Sequence, residues 1–571
     1  MTKTVRDETL KSANSALITI ACLIIALGWC VVFFNSTLED AHITFRYARN
    51  LAEGHGFGLW NIDEPPVEGF SSPAWMMLLA GAMRIGLSPF LMAKILGVAS
   101  LLAIIVMFYI ASRSNQEAAG EVRGEAPVLA ALLLALFLPL GWYADTGMET
   151  TFFAALVAGL LLAPSMFRTR RLRIAASTCL SIAAVLTRPE GVLLALLIGG
   201  FHWRRARERD GWMLSAVPLV ATASTFLAMT AFRWFYFGAP FPNTYYAKAA
   251  GGWHHVMFGL KYVALFARAA APMLLLGIVG LVWSIRHRKI SAVIVALALL
   301  LMIYTTYVAK VGGDPDSAFP MWRHFVHIAP VWALLLALLT VRLPLPSMAR
   351  VATIVLAVVL CDAAIARQNW KWVAADPARL IERDGLLHME ALDPYFAWVQ
   401  RISDNHTVSA AALAGKWGWY VSGDEIDVLG LNDSHIAHEG HFDPGGPVDS
   451  KTDMAYVLAK HPDLIDGYIS GMALRDGVCG TDITYPFRPA MLQGLIESPV
   501  FKSEYLFVTN APYSVLDRAL FIRRAHLSRT VGVPIATVPV TDTVLFSRNC
   551  LPPWRMASQA PGKPATRSLS R

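Results

Sequence analysis

Charge is what this sequence has least of. Only 16% of its 571 residues are Asp, Glu, Lys or Arg, whereas 55% are hydrophobic. Ordinary soluble domains carry about a quarter charged residues, so a soluble protein built around one large core is a poor fit. The chain also lacks a phosphate-binding P-loop, a dinucleotide fingerprint, zinc-ligand spacing and a Gly-x-Ser-x-Gly elbow. Those absences argue against an ATP-driven pump and a serine hydrolase. No basic stripe with interleaved aromatics occurs, so nucleic acid is set aside as a partner. Cysteine is scarce, at six residues. Cys22, Cys30, Cys179 and Cys361 lie in apolar segments and read as inert packing groups. Cys479 and Cys550 lie in the polar C-terminal part. They form a candidate disulfide if that part is extracytoplasmic, and two unrelated thiols otherwise.

What is present is a series of long apolar runs. Mean hydropathy is +0.48, and uncharged stretches of roughly 18 residues or more recur, the length of a membrane crossing. The run 16–34 is as long as a full span and is read as an uncleaved first crossing. The net charge of +8 resides largely in short loops at 168–173, 204–209, 286–289 and 342–350. Positive short loops mark the cytoplasmic side. Placing these four inside threads about 11 spans through a lipid bilayer, with the N-terminus cytoplasmic. The segment 73–86 is too short to cross and reads as an interfacial helix. The parity puts the polar loop 35–90, the 145–149 turn, the 236–260 stretch and the 312–322 loop outside. Beyond 364 the pattern changes to short β-like runs, such as 407–412, 426–431 and 506–509, among polar and helical stretches. Residues 365–550 read as an extracytoplasmic α/β domain, and 551–571, rich in Pro, Ser, Ala and Arg, as a disordered tail.

The external loops hold the candidate chemistry. Glu39 and Asp40 follow the first span directly. A carboxylate fixed at a span end can take a proton from an acceptor hydroxyl; equally, acids at a helix start can merely cap it. Arg188 interrupts an apolar stretch in Thr187-Arg188-Pro189-Glu190-Gly191, and Lys248 ends a Pro- and aromatic-rich loop from Gly238. Either can hold a phosphate, or be a snorkelling or surface cation. Gly312-Gly313-Asp314-Pro315-Asp316 presents carboxylates on a turn, for a sugar, for a cation, or as a loop alone. Without His or Cys partners it does not establish a metal.

Taken in order, these segments resemble one family. Glu39 to Leu51, Gly54-His55-Gly56, Val67 to Ser72, Gly147-Met148-Glu149, Arg188-Pro189-Glu190, Gly238 to Lys248, Gly312-Gly313-Asp314 and Asp427 to Ala437 are similar to the GT-C membrane glycosyltransferases. The likeness is strongest to the branch with the terminal β-(1→2)-arabinofuranosyltransferase. The resemblance implies a polytopic α-helical GT-C fold with a C-terminal α/β domain, residues 1–364 forming the transmembrane catalytic part. It implies a polyprenyl-phosphate sugar as donor, arabinofuranose among the candidates, and a cell-envelope glycan as acceptor, at the outer face of a bacterial inner membrane. Asp40 then takes the place of the catalytic base beside Glu39, where the family more often has two aspartates. Arg188, Lys248 and Arg46 become donor-phosphate ligands. Glu68, Glu149, Asn243 and Asp314 become substrate contacts, together with Asn432, Asp433 and His435 in the C-terminal domain. No cofactor is called for, no metal ligand is assigned, and dependence on a divalent metal is left open. The rivals are a lipid or glycolipid transporter or flippase, which predicts ionisable residues at mid-membrane, and a non-catalytic glycan-binding membrane protein.

Overall fold

A computed structural model describes residues 3–34, 36–114, 120–249, 252–314, 321–368, 382–383, 394–412, 414–442, 451–468, 494–495, 498–508, 510–511, 518–530 and 532–540. The candidate cysteine pair, Asp316 and the tail from 551 lie outside these residues. Two compact units emerge, Met1–Ala391 with Pro447–Asp449, and Leu392–Gly446 with Ser450–Arg571.

The first unit is helical. It opens with α1 (Lys3–Phe33), a two-residue strand β1 (Ser36–Thr37), α2 (Glu39–Ala52), α3 (Pro73–Arg84) and α4 (Pro89–Ser112). There follow α5 (Glu125–Leu136), α6 (Leu138–Tyr143), α7 (Thr150–Met166), α8 (Arg170–Thr187), α9 (Gly191–Asp210) and α10 (Trp212–Phe237). The unit continues with α11 (Asn243–Ala249), α12 (Gly252–Ala269), α13 (Ala271–Arg286), α14 (Ala292–Lys310), α15 (Arg323–His327), α16 (Ala329–Val341) and α17 (Ser347–Gln368). Strand β1 pairs antiparallel with β2 (Glu382–Arg383).

Five of these helices contain stretches long and apolar enough to cross a membrane: Ser15–Phe33, Pro89–Ser112, Trp212–Phe237, Ala292–Lys310 and Ser347–Gln368. The pair α12 and α13, bent by 79° at its break, makes a sixth if it is one span. Three shorter apolar helices, α5, α7 and α16, accompany them. Eleven crossings are read from the sequence; among the described residues five or six are shown by length and composition, with the three shorter apolar helices beside them. The chain is a multi-pass membrane protein. Where an external stretch is expected to reach residue 260, α12 is already helical from 252. Its Val256, Gly259, Tyr262 and Val263 recur at three- and four-residue spacing, which favours helix. Of the cysteines expected to pack inertly, Cys22, Cys30 and Cys361 are buried, whereas Cys179 is exposed on α8.

Local chemistry explains the breaks. The run from 125 to 143 divides at Phe137 because Pro139 has no N–H to give residue 135. The Ala135 carbonyl accepts from Trp29 Nε1 instead, at 3.1 Å. The hairpin between α8 and α9 is tight enough that a Cβ on Gly191 would lie 2.0 Å from the Ala184 carbonyl oxygen, so only glycine fits there.

The second unit is a six-stranded mixed sheet in the order β10-β8-β9-β7-β3-β4. Its strands are β3 (Val408–Ala411), β4 (Asp424–Asp427), β7 (Leu464–Tyr468), β8 (Tyr505–Val508), β9 (Arg518–Arg523) and β10 (Thr537–Pro539), and a small pair β5 (His441–Phe442) and β6 (Lys451–Thr452) lies apart. Strand β3 runs parallel to β4 and β7, and the remaining pairings are antiparallel. Both faces are covered. Tyr505, Phe507 and Phe521 join one apolar cluster, and Leu506, Val508, Leu520 and Ile522 the other, the alternation of successive strand residues.

Candidate active site

The start of α2 is tied to the 145–147 turn, which is itself held from two further sides. The Leu38 amide donates to the Thr146 carbonyl at 2.9 Å, and Trp75 Nε1 donates to the Gly147 carbonyl at 3.2 Å. Buried Lys94 on α4 donates to the Asp145 carbonyl at 2.7 Å. Gly147 adopts φ +83°, and a Cβ there would lie 3.0 Å from the Ala41 Cβ. Gly147 thus packs against the first turns of α2, next to Asp40 in sequence.

Around that point the structure gathers residues from distant parts of the first unit. Asp40 Oδ2 lies 3.6 Å from Arg323 Nη1. Arg323 Nη2 donates to Asp314 Oδ1 at 2.6 Å, and the Tyr262 hydroxyl donates to Asp314 Oδ2 at 3.1 Å. Burial opposes ionisation of Asp314, but the Arg323 guanidinium and then His324 hold its carboxyl below the usual range. Arg188 donates from Nη1 to Glu149 Oε1 at 2.6 Å and to Ser71 Oγ at 3.3 Å, and from Nε to Glu190 Oε1 at 3.1 Å. His327 Nδ1 stands 3.0 Å from the same Glu190 oxygen. The four carboxylates differ in access. Asp40 is 46% exposed, whereas Glu149, Glu190 and Asp314 are at most 2% exposed.

The other predicted residues fall in separate places. Glu39 shares the first turn of α2 with Asp40 and is half-buried. Arg46 is engaged within the first loop. It donates from Nε to the Trp60 carbonyl at 2.9 Å and from Nη2 to Asn61 Oδ1 at 3.0 Å, and its guanidinium lies 4.5 Å above the Trp60 ring. Glu68 takes a bidentate pair from Arg233, at 2.7 and 2.9 Å, clasping the loop to α10. Its carbonyl accepts from the amide of buried Asn243 at 3.0 Å. Lys248 is half-buried on α11, and its charge helps hold the Asp314 carboxyl down.

In the second unit, buried Asp427 accepts from the Leu429 amide, the Asn432 amide and Asn432 Nδ2, at 2.9–3.0 Å. Burial pushes its carboxyl up to about 6 against those bonds. Asp433 caps the short helix Ser434–Glu439 by accepting from the Ile436 amide. His435 stacks on Tyr456 at 4.0 Å and meets Asp453 at 3.0 Å. Asn432 and Asp433 thus build a turn, and His435 and Tyr456 form a partly exposed aromatic step beside it.

Sequence reasoning did not assign Arg323, His324, His327, Glu190 or Arg233 a role. Arg323 and His324 follow the Gly-Gly-Asp turn, which gave a faint signal; His327 gave none.

Among solved structures, ArnT from Cupriavidus metallidurans in the apo state is similar, with a TM-score of 0.51 and 11% identity over 90% of this chain and 98% of that one. The chain has the GT-C fold. The Archaeoglobus fulgidus oligosaccharyltransferase tethered to an acceptor peptide gives 0.48 at 13% identity, over 94% of this chain and 77% of that one. Its apo form gives 0.47 at 12%, over 92% and 74%. No protein-family profile and no curated protein matches the sequence.

Proposed function

We propose that this protein is an inverting glycosyltransferase that moves a sugar, in our reading arabinofuranose, from a polyprenyl-phosphate donor to a cell-envelope glycan. It would act at the outer face of a bacterial inner membrane, with the arginine-rich turns on the cytoplasmic side and the sheet-bearing unit outside. The observation that carries the reading is the unequal access of the four clustered carboxylates. Only Asp40 among them is open enough to meet an acceptor, and it stands beside a fixed guanidinium.

In the reaction, Asp40 takes the acceptor hydroxyl proton as that oxygen attacks the anomeric carbon. The anomeric carbon–oxygen bond on the opposite face breaks, and its electron pair leaves on the phosphate. Arg323, held by Asp314, and Lys248 stabilise the departing charge. Arg188, clamped between Glu149 and Glu190, adds fixed positive charge to the cluster. The ordered family-like motifs from residue 39 onward support the donor class, and the GT-C fold supports the membrane setting.

The test is a panel of polyprenyl-phosphate sugars offered to the purified protein in proteoliposomes with an arabinan acceptor. Release of polyprenyl phosphate from the arabinofuranose donor is expected. Absence of release from every donor overturns the reading.

A further inference from the structure

Glu190, His324 and His327 meet inside the first unit. One oxygen of Glu190 and one nitrogen of each imidazole lie within 4.8 Å of one another, and all three residues are buried. The two histidines are three residues apart on α15, a spacing that places them on one helix face. Glu190 comes from the tight α8–α9 turn. The chain enters α15 through Met321 and Trp322, at φ 47° and 54°. Non-glycine residues hold that conformation only where the surroundings impose it, as they do at functional sites.

Among the described residues, Nδ1 of His324 and Nε2 of His327 have no hydrogen-bond partner. Both atoms are closed to solvent. Two such nitrogens in one buried cluster are unusual, and the neutral imidazole nitrogen is the commonest protein ligand for a metal.

Charge points the same way. The cluster holds four carboxyl groups, on Asp40, Glu149, Glu190 and Asp314, against the guanidinium groups of Arg188 and Arg323, with Lys248 acting on Asp314. An added cation would offset that excess before a phosphate-bearing ligand arrives. Arg188 Nε and His327 Nδ1 both address Oε1 of Glu190, at 3.1 and 3.0 Å.

We propose that Glu190, His324 and His327 are the protein ligands of a divalent transition-metal ion of the zinc type. Bonds of about 2.1 Å in a tetrahedral site bring ligand atoms to about 3.4 Å of one another. The three groups therefore need to close by at most about 1.4 Å from their present bound. Magnesium and calcium prefer all-oxygen ligands, so the imidazole pair selects against them. The ion would pin α15 to the α8–α9 turn and so fix Arg323 beside Asp40. The site stands whether or not the transfer reaction proposed above is correct.

The full-length protein in detergent is loaded with Zn2+ or Co2+ and exchanged into metal-free buffer. Elemental analysis should find about one equivalent retained, and Co2+ should show visible d–d bands of imidazole coordination. The double variant His324→Ala/His327→Ala should retain at least about tenfold less. Asp40→Asn should keep the full equivalent, which separates loss of metal from loss of transfer. Retention by the native protein no greater than by the double variant overturns the proposal. If that variant fails to fold, a native-protein Co2+ spectrum indistinguishable from the free ion overturns it alone.

Discussion

Arg323 touches two acids of opposite accessibility: buried Asp314 at 2.6 Å and half-open Asp40 at 3.6 Å. Its fork lets one side chain serve both, which an ammonium cannot do. Arg323→Ala should therefore lower kcat by about 10²- to 10³-fold, and Arg323→Lys should recover only part of it, as steady-state kinetics would show. A second expectation concerns Gly147. An added methyl group meets Ala41 and Phe45 at 3.0 and 3.1 Å in a left-handed backbone. Gly147→Ala should lower stability by about 1–3 kcal/mol and also reduce turnover, because the start of α2 carries Asp40. At this scale the sequence was informative where chemistry announces itself locally. Adjacent acids after an apolar span made Asp40 a candidate, and the structure leaves it the most open of the four clustered carboxylates. Arg46 was equally visible as a charge, and in the structure it bonds the Trp60 carbonyl and Asn61. His327 was hidden because its partner, Glu190, lies far back along the chain.

Elements are joined by buried ion pairs whose two halves come from separate segments. The Glu68–Arg233 clasp, with side chains 2% and 11% exposed, ties the first loop to α10. Removing one partner strands the other charge, so Glu68→Ala should destabilise by about 3 kcal/mol, read as a lower melting temperature in detergent. The double change Glu68→Gln/Arg233→Met should cost less. In the second unit, slight burial works against ionisation of Asp404, but hydrogen bonds from Arg529, the His406 amide and Thr407 bring its carboxyl down to about 2. A depressed carboxyl contributes stability that is present above about pH 4 and lost as pH falls through about 2. Protection of the β3 amides against hydrogen exchange, corrected for intrinsic rate, should fall across that window, and less in Arg529→Ala. The short apolar runs at 407–412 and 506–509 foretold β3 and β8, because alternation over four residues is a local signal.

For the molecule as a whole, the architecture was the most legible feature. Apolar run length is a long-range average that survives errors at individual residues, and the GT-C fold bears out the helical membrane architecture read from it. The count of crossings was less secure, since α5, α7 and α16 are apolar but short. The proposed sidedness rests on the arginine-rich turns. A periplasm-active reporter placed after Ser36 should be active, and one inserted at Arg288 inactive. The reverse pattern would separate Asp40 from the outer face. The most direct test of the central claim compares native protein with Asp40→Asn in proteoliposomes, measuring polyprenyl-phosphate release and donor binding together. Loss of a base should slow release by about 10²- to 10⁴-fold while binding is retained. Release at the native rate from the Asn variant would contradict the account.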